Sequence, residues 1–219
     1  MDGEHSIFVP IATKLQFAWA LNEGSGKMVK GRSRIPSYIR TMAKRRKLDF
    51  IVDKLTNSIV DALTGEPYET EIVRLSDDDI TSIRNGEWQF DWTQELSGKG
   101  REVYKLVTRK NPSVIQGLIS LTERYDHIFI YLLESAPFNI GQKKIFDGVA
   151  GNLVAFGCKK SFAMGYEGCV AFEAKTRLIK HYEETLGAQR SSANRMFIAT
   201  REGYILVKKY FPDFYDDRL

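Results

Sequence analysis

The sequence predicts an α/β protein built on a central sheet that helices cover, and three observations lead to this. The segment His127–Leu133 is apolar at odd and even positions alike, which is typical of a strand with both faces buried. Gly148 and Gly151 follow it at the start of a helical segment, the pattern of a strand, a glycine-bearing turn and a helix. Before it, residues 101–136 run through three strand-like segments, which together predict an antiparallel meander.

Composition places the chain among globular proteins with a sizeable core. Of the 219 residues, 43% are hydrophobic and 12% are aromatic, which is ample for a packed interior. No run of 18 apolar residues occurs, so we expect no membrane partner, and the N-terminus lacks the basic region of a secretory signal. Cys158 and Cys169 fit reduced core residues of a cytoplasmic protein. The cysteines and histidines have no metal-ligand spacing, so no metal site is predicted.

The first 47 residues are predicted to be an N-terminal extension, and residues 48–219 the folded domain. Lys27–Lys47 holds nine basic residues and no acidic one; since the chain carries a net charge of +4, all other residues together sum to −5. The segment could rest on RNA phosphates, with Tyr38 available to stack on a base. It could equally be a solvated helix over Tyr38–Asp49, and the apolar residues of Ile7–Leu21 suffice to dock this arm on the core.

The first half of the domain contains one predicted helix, one predicted strand and an aromatic patch. Apolar residues at helical spacing predict a helix through Phe50–Leu63. Alternation after Pro67 predicts a strand at Tyr68–Leu75, and Asp77–Asp79 would cap a short helix. The patch Trp88–Trp92 is expected either to pack in the core or to line a substrate pocket.

The second half supplies the remaining elements of the sheet. The meander consists of strands Arg101–Thr108, Ser113–Leu121 and Asp126–Ala136, with a turn at Asn111-Pro112. A loop over residues 137–147 follows. The chain then continues with a helix opening at Gly148, a strand at Gly168–Lys175, a helix at Arg177–Gly187, a strand at Met196–Ile198 and a terminal helix.

Two carboxylates and one helix start are candidates for chemistry. Free N–H groups at a helix N-terminus favour an anion such as a phosphate, which points to Gly148–Asn152. Glu134 ends the central strand, where a half-buried carboxylate with a raised pKa could act as a general base, or could pair with a lysine. Glu173, on the next strand, is the competing base. Cys158 lies on a buried helix face and neither cysteine is placed for a covalent intermediate.

Taken in order, these elements resemble the GNAT superfamily of N-acetyltransferases over roughly residues 101–211. The resemblance is carried by a central strand that reaches Pro137, by the turn Gly148-Val149-Ala150, and by Tyr182–Gly187 at the end of a helix. Ile145 stands where the family has Arg or Gln, and Ala188 stands where it has an aromatic residue. The loop after Pro137 is several residues longer than in the family.

The resemblance implies a central mixed, mostly antiparallel sheet flanked by helices, with acetyl-CoA as cosubstrate. Tyr182 would protonate the leaving thiolate, although its helix face predicts a core position equally well. Glu134 would be the general base, with Glu173 as the alternative. The residues implied for cofactor binding are Ser135 and Ala136 for the pantetheine, together with Glu134, and Lys143, Lys144, Gly148, Val149, Ala150, Gly151 and Asn152 for the pyrophosphate.

The activity implied is transfer of an acetyl group to an amine by direct attack on the thioester. The acceptor could be a protein, an aminoacyl-tRNA or a small molecule. The alternative is a catalytically degenerate GNAT-like module that binds CoA or RNA and has a regulatory role.

Overall fold

The structure is a computed structural model that describes residues 47–52, 55 and 58–214. The chain divides into two units after Lys44, and the described residues all belong to the second. The predictions on Ile7–Leu21, on the helix from Tyr38 and on the basic stretch before Lys47 lie outside the described residues.

Seven strands of the described part form one sheet, in the order β3-β4-β5-β6-β8-β10-β9. All neighbouring strands in it are antiparallel except β6 and β8, which are parallel. A smaller sheet has the order β2-β1-β7. The strands are β1 Ile59–Asp61, β2 Pro67–Tyr68, β3 Thr70–Arg74, β4 Glu102–Thr108, β5 Asn111–Glu123, β6 Ile128–Ser135, β7 Phe146–Asp147, β8 Val170–Glu173, β9 Gln189–Arg190 and β10 Arg195–Ile198. The expected mixed, mostly antiparallel sheet is therefore confirmed.

Helices cover both faces of the large sheet. The helices of the described part are α1 Ile80–Asn85, α2 Trp92–Leu96, α3 Val149–Ala163, α4 Ile179–Leu186 and α5 Thr200–Tyr210. The long helix α3 connects β6 to β8, because two parallel strands need a crossover connection. It packs against β5, β6 and β8 and against α5.

The core has two parts, one on each face of the sheet. The larger lies with α3, α4 and α5 and includes Ile130 and Leu133 of β6. The smaller lies under α1 and α2 and includes Leu132 of β6 together with Trp92. The central strand thus buries both of its faces, which is why it is apolar at odd and even positions.

The helix predicted through Phe50–Leu63 is wrong. Residues 50–52 are not helical, and Ile59–Asp61 is strand β1. Burial here has a period of two, since Phe50 and Val52 are buried while Ile51 between them is 56% exposed. Ile51, Val52 and Ile59 of the predicted helical stripe therefore belong to extended chain, and Leu63 lies in the turn after β1.

The turn predicted at Asn111-Pro112 falls earlier, at Arg109-Lys110, and β5 already begins at Asn111. Pro112 lies next to the start of this strand, where a missing N–H is tolerated. The two cysteines are free and buried, as expected. Burial raises the pKa of the Cys158 thiol far above its ordinary value, so this thiol stays protonated and inert.

Two glycines in helices give a matched test of the packing. A Cβ on Gly203 of α5 would lie 2.7 Å from the backbone carbonyl oxygen of Gly168, whereas a Cβ on Gly157 of α3 would meet nothing closer than 3.8 Å. We expect Gly203→Ala to reduce the free energy of unfolding by about 1–3 kcal/mol, because backbone must shift to admit the methyl group. Gly157→Ala should be neutral or should stabilise the protein by about 0.5–1 kcal/mol. Urea unfolding measures both, and equal effects would contradict the close approach at Gly168.

Candidate active site

The sheet opens between its two parallel strands. Ile128–Ile130 of β6 pair with Val170–Phe172 of β8, and the pairing ends there. On the other edge of β6, Leu121 lies opposite Ile130 but Ser120 lies opposite Leu132, so Tyr131 is an extra residue in β6. Such a bulge bends and twists its strand. β6 then continues to Ser135 with β5 alone as its partner, which leaves an opening at the carboxyl ends of β6 and β8.

The edge of β6 in this opening has the polarity that an extended ligand needs. The Ala136 N–H donates to the Gln116 carbonyl (2.9 Å), toward β5. Because backbone groups alternate in direction along an antiparallel strand, the N–H and C=O groups of Leu133 and Ser135 point the other way, into the opening. An extended ligand can add to such an edge as a strand does. Of the predicted pantetheine residues, Ser135 faces the opening and the fully buried Ala136 turns its N–H away from it.

The Glu134 side chain lies on the face of β6 that carries the smaller core, beneath the segment that joins α1 to α2. Its Oε1 accepts a hydrogen bond from the Gln89 N–H (2.6 Å) and its Oε2 accepts one from Trp92 Nε1 (2.8 Å). Only 5% of the residue is exposed. Burial raises the pKa of the Glu134 carboxyl above its ordinary value of 4.5, although the bonds from Trp92 and Gln89 oppose this shift. The structure therefore gives neutral N–H donors, rather than a lysine, as the partners of Glu134.

A pocket of about 570 Å³ lies between the segment that precedes Gln89 and Pro137, just after the end of β6. Trp88 and Phe138 line it together with Ile115 and the carboxylate-bearing Glu87. Trp88 directly precedes Gln89, the donor to Glu134, so one wall of the pocket is continuous with the residues that hold this carboxylate. The aromatic patch of the sequence is thus divided: Trp92 is fully buried in the core, and Trp88 lines the pocket.

Tyr182 of α4 is fully buried behind the opening, on the face opposite to Glu134. Its hydroxyl donates to the Phe50 carbonyl (2.8 Å), and its ring packs against Phe50 and Phe172 at centroid distances of 5.0 and 5.4 Å. Burial raises the pKa of the Tyr182 phenol well above its usual range, and the bond to Phe50 offsets only part of this. The core position expected as one alternative is confirmed; the acid role stays a prediction.

The competing base, Glu173, is held by other groups. Its side chain forms an ion pair with Arg195 of β10 (3.5 Å), and its backbone carbonyl accepts from the Leu48 N–H (2.5 Å). Glu134, by contrast, accepts from Gln89, whose neighbour Trp88 lines the pocket described above.

The predicted phosphate cradle at the start of α3 is covered. Gly148 precedes the helix with a φ of 85°, a left-handed conformation that glycine adopts without strain, and residues 148–152 are all buried. A Cβ on Gly151 would lie 2.2 Å from Tyr210 Oη and 3.1 Å from Leu55 Cδ2, so this position must be glycine to admit Tyr210. The Asn152 side chain donates to Thr70 Oγ1 (3.1 Å). N–H groups at a helix start suit an anion, but in this structure residues 148–152 are buried, and Tyr210 and Leu55 lie against Gly151.

The two lysines of the preceding loop differ in their surroundings. Lys143 is exposed, whereas the Lys144 ammonium forms an ion pair with Asp147. Lys143 is therefore the better placed of the two to meet an anion arriving from solvent.

Sequence interpretation missed the residues that fill the opening. Leu48, Phe50 and Val52 lie there, and the Val52 N–H donates to His181 Nε2 (2.9 Å). In the sequence only Asp49 interrupts this apolar run, and the alternation appears only in the burial, because Ile51 is apolar and yet exposed. The apolar positions further on fit a helix, so the local sequence did not mark a strand here.

Among the described residues, no helix is long and apolar enough to cross a membrane. In the same part of the chain, no group of three or more histidine, cysteine, aspartate or glutamate side chains is close enough to hold a metal ion.

No protein-family model matches the sequence, and no curated protein matches it. Solved structures do. The spermidine N-acetyltransferase from Vibrio cholerae, in complex with CoA and spermine, is 15% identical over 62% of this chain and 98% of that chain, with a TM-score of 0.47. The ribosomal-protein-S18-alanine N-acetyltransferase from Escherichia coli is 13% identical over 59% of this chain and 94% of that one, with a TM-score of 0.45.

A third similar structure is AtaTR bound with AcCoA, at 16% identity over 63% of this chain and 98% of that one, with a TM-score of 0.48. Each of these TM-scores is below 0.5. The order of the strands and helices in the chain itself is therefore the stronger observation. Its antiparallel meander, glycine-led crossover helix and mixed sheet follow the order that the sequence resemblance implied, and the separation of the parallel pair is seen only in the structure.

Proposed function

We propose that this protein is an acetyl-CoA-dependent N-acetyltransferase that transfers the acetyl group to an amine. The observation that carries the proposal is the separation of β6 from β8 beyond Ile130. Beyond that point the backbone N–H and C=O groups of Leu133 and Ser135 face an opening. The start of α3 lies on one side of this opening, and the buried Glu134 carboxylate lies on the other. The carboxyl ends of parallel strands, where such an opening forms, are where open α/β sheets bind their ligands.

Acetyl-CoA, when bound, supplies the acetyl thioester that an amine attacks. The chain contributes the β6 edge at Leu133 and Ser135, which would hold the extended pantetheine arm. The N–H groups at the start of α3, with Lys143, would bind the pyrophosphate. No covalent enzyme intermediate is needed, and the two cysteines are buried.

Glu134 would accept the proton that the attacking amine releases. At neutral pH its oxygens already accept bonds from Gln89 and Trp92, but a carboxylate oxygen can accept more than one hydrogen bond. The N–H donors fix the carboxylate in place, and its raised pKa brings its basicity closer to that of a working general base.

The pocket lined by Glu87, Trp88 and Phe138 would receive the acceptor. Aromatic faces and a carboxylate attract a protonated amine, and the volume of the pocket is in the range of small-ligand sites. A protein amine, an aminoacyl-tRNA and a small molecule all remain possible acceptors. Contact of Lys27–Lys47 with RNA belongs to the second of these and stays a prediction.

Glu134→Gln tests the base. We expect kcat to fall about 10²-fold or more, the range for loss of a general base, while affinity for CoA changes little. In the wild type the rate should rise with pH through the Glu134 pKa, above 4.5, because the deprotonated form is the active one.

Trp92→Phe is the matched control, since it removes one donor to the same carboxylate and keeps an aromatic ring. If Glu134 only ties the Gln89–Trp92 segment to the sheet, both variants should lose stability and neither should lose kcat. A kcat that falls much further in Glu134→Gln than in Trp92→Phe, which keeps the carboxylate, separates chemistry from support.

Tyr182→Phe tests the acid. Removing the hydroxyl keeps the buried ring, so we expect an intact fold and a kcat reduced about 10²-fold, without weaker CoA binding. Tyr104→Phe is the control: its hydroxyl bonds Glu102 (2.7 Å) away from the opening. An unchanged kcat in Tyr182→Phe would leave this tyrosine with a packing role alone.

Lys143→Gln tests the cofactor site by calorimetry with CoA. Loss of a cation that faces a phosphate should weaken binding a few-fold, and more at low salt, because exposed charges are screened. Lys180→Gln is the control, since Lys180 is exposed on α4 and pairs with Glu184. A wild-type protein that binds no CoA at all would favour the alternative of a degenerate, non-enzymatic module.

A further inference from the structure

Residues 47–52, here called the inserted strand, take over the edge of β8 where β6 leaves it. The Leu48 N–H donates to the Glu173 carbonyl (2.5 Å), and the Lys175 N–H donates to the Leu48 carbonyl (3.1 Å). Leu48 and Ala174 form a parallel bridge. The Cys169 carbonyl accepts a hydrogen bond from the Ile128 N–H of β6 (3.2 Å). Because backbone groups alternate in direction along a strand, the carbonyls of Cys169 and Glu173 point to the same edge of β8. The inserted strand therefore lies in the opening between β6 and β8.

The inserted strand fills this opening with apolar side chains. Leu48, Phe50 and Val52 are 1%, 6% and 2% exposed, whereas Ile51 is 56% exposed. One face of the strand thus packs into the core and the other meets solvent. Asp49 anchors the outer side through ion pairs with Lys175 and with Arg177 (2.6 Å for the latter).

Two side chains of α4 hold the backbone of the inserted strand. Tyr182 donates its hydroxyl to the Phe50 carbonyl, and His181 Nε2 accepts from the Val52 N–H. Burial lowers the pKa of His181, which keeps that nitrogen free to accept. Both hydrogen bonds are made to backbone groups of the inserted strand and not to its side chains, as in the binding of an extended peptide.

Beyond the inserted strand the chain continues toward the start of α3. Leu55 lies against Gly151. Ile59 begins β1, and β1 pairs with β7, whose last residue Asp147 directly precedes Gly148. The described residues of this stretch, namely 47–52, 55 and 58–61, thus lie between β8 and the helix start, along the route that an extended ligand ending in a phosphate would take.

We propose that the inserted strand is an intrachain occupant of the ligand site, and that binding of CoA and release of this strand are coupled. The inference rests on the proposed function. A phenol carries one donor proton, so Tyr182 cannot donate to the Phe50 carbonyl and to a leaving thiolate together. The apparent affinity for CoA is then reduced by the fraction of molecules in which the strand is docked.

Amide hydrogen exchange on the full-length wild-type chain, with and without CoA, tests the coupling directly. The Leu48, Val52 and Lys175 amides are bonded in the docked state, so saturating CoA should speed their exchange. Amides of β4 and β5, away from the opening, serve as the internal reference. Binding of CoA with unchanged or slower exchange at these three amides would overturn the proposal and leave the acetyltransferase function standing.

Asp49→Asn supplies an independent measurement. It removes both ion pairs of the inserted strand and keeps the size of the side chain. If those pairs hold the docked state by roughly 1 kcal/mol, as partly exposed pairs do, affinity for CoA should rise about fivefold. Glu183→Gln is the matched control, because it makes the same change of charge at an exposed position of α4.

A gain in Asp49→Asn that exceeds the gain in Glu183→Gln supports release of the strand. Equal gains would mean that only the net charge matters, which overturns the proposal. If wild type and Asp49→Asn both fail to bind CoA, the proposed function itself fails. That result differs from the case in which CoA binds and the strand stays docked.

Discussion

The parallel pairing of β6 with β8, and its early end at Ile130, is the constraint on which the rest of the structure depends. A bulge at Tyr131 bends β6 away, and the open edge must then be filled, because unpaired backbone groups beside a core are costly. In this chain Leu48 takes the place of β6 on β8. The position of the inserted strand and the burial of Tyr182 against Phe50 both follow from how that gap is filled.

The two faces of β6 carry different chemistry because side chains alternate along a strand. On one face Glu134 is buried under Trp92 and Gln89 beside a pocket. On the other, Leu133 joins the core near α3. A carboxylate held by N–H donors and a tyrosine held by a carbonyl thus lie on opposite faces of the sheet.

Several features of this chain were predictable from local pattern. The uninterrupted apolar run of β6 predicted a central strand, and its burial on both faces confirms this. Alternation predicted β4 and β5, and Gly148 marked the start of α3. In these segments the apolar run, the alternation or the glycine lies within the segment itself, so the local sequence is enough to mark the element. The helix predicted through residues 50–63 was wrong because the spacing of the apolar residues there fits a helix. Only the pairing of Leu48 with β8 and of β1 with β7 shows that the chain is extended at these positions.

By itself, the sequence determined a mixed α/β sheet, a crossover helix led by glycine, the placing of Glu134 near the end of its strand and the placing of Tyr182 on the apolar face of its helix. Only the tertiary structure decided what each of those groups meets. Glu134 accepts bonds from residues 42 and 45 positions earlier, and Tyr182 donates to a residue 132 positions earlier. Such partners depend on how distant segments pack, and no local period encodes them. Gly151 is a further case, because a side chain at this position would clash with Tyr210, at the far end of α5.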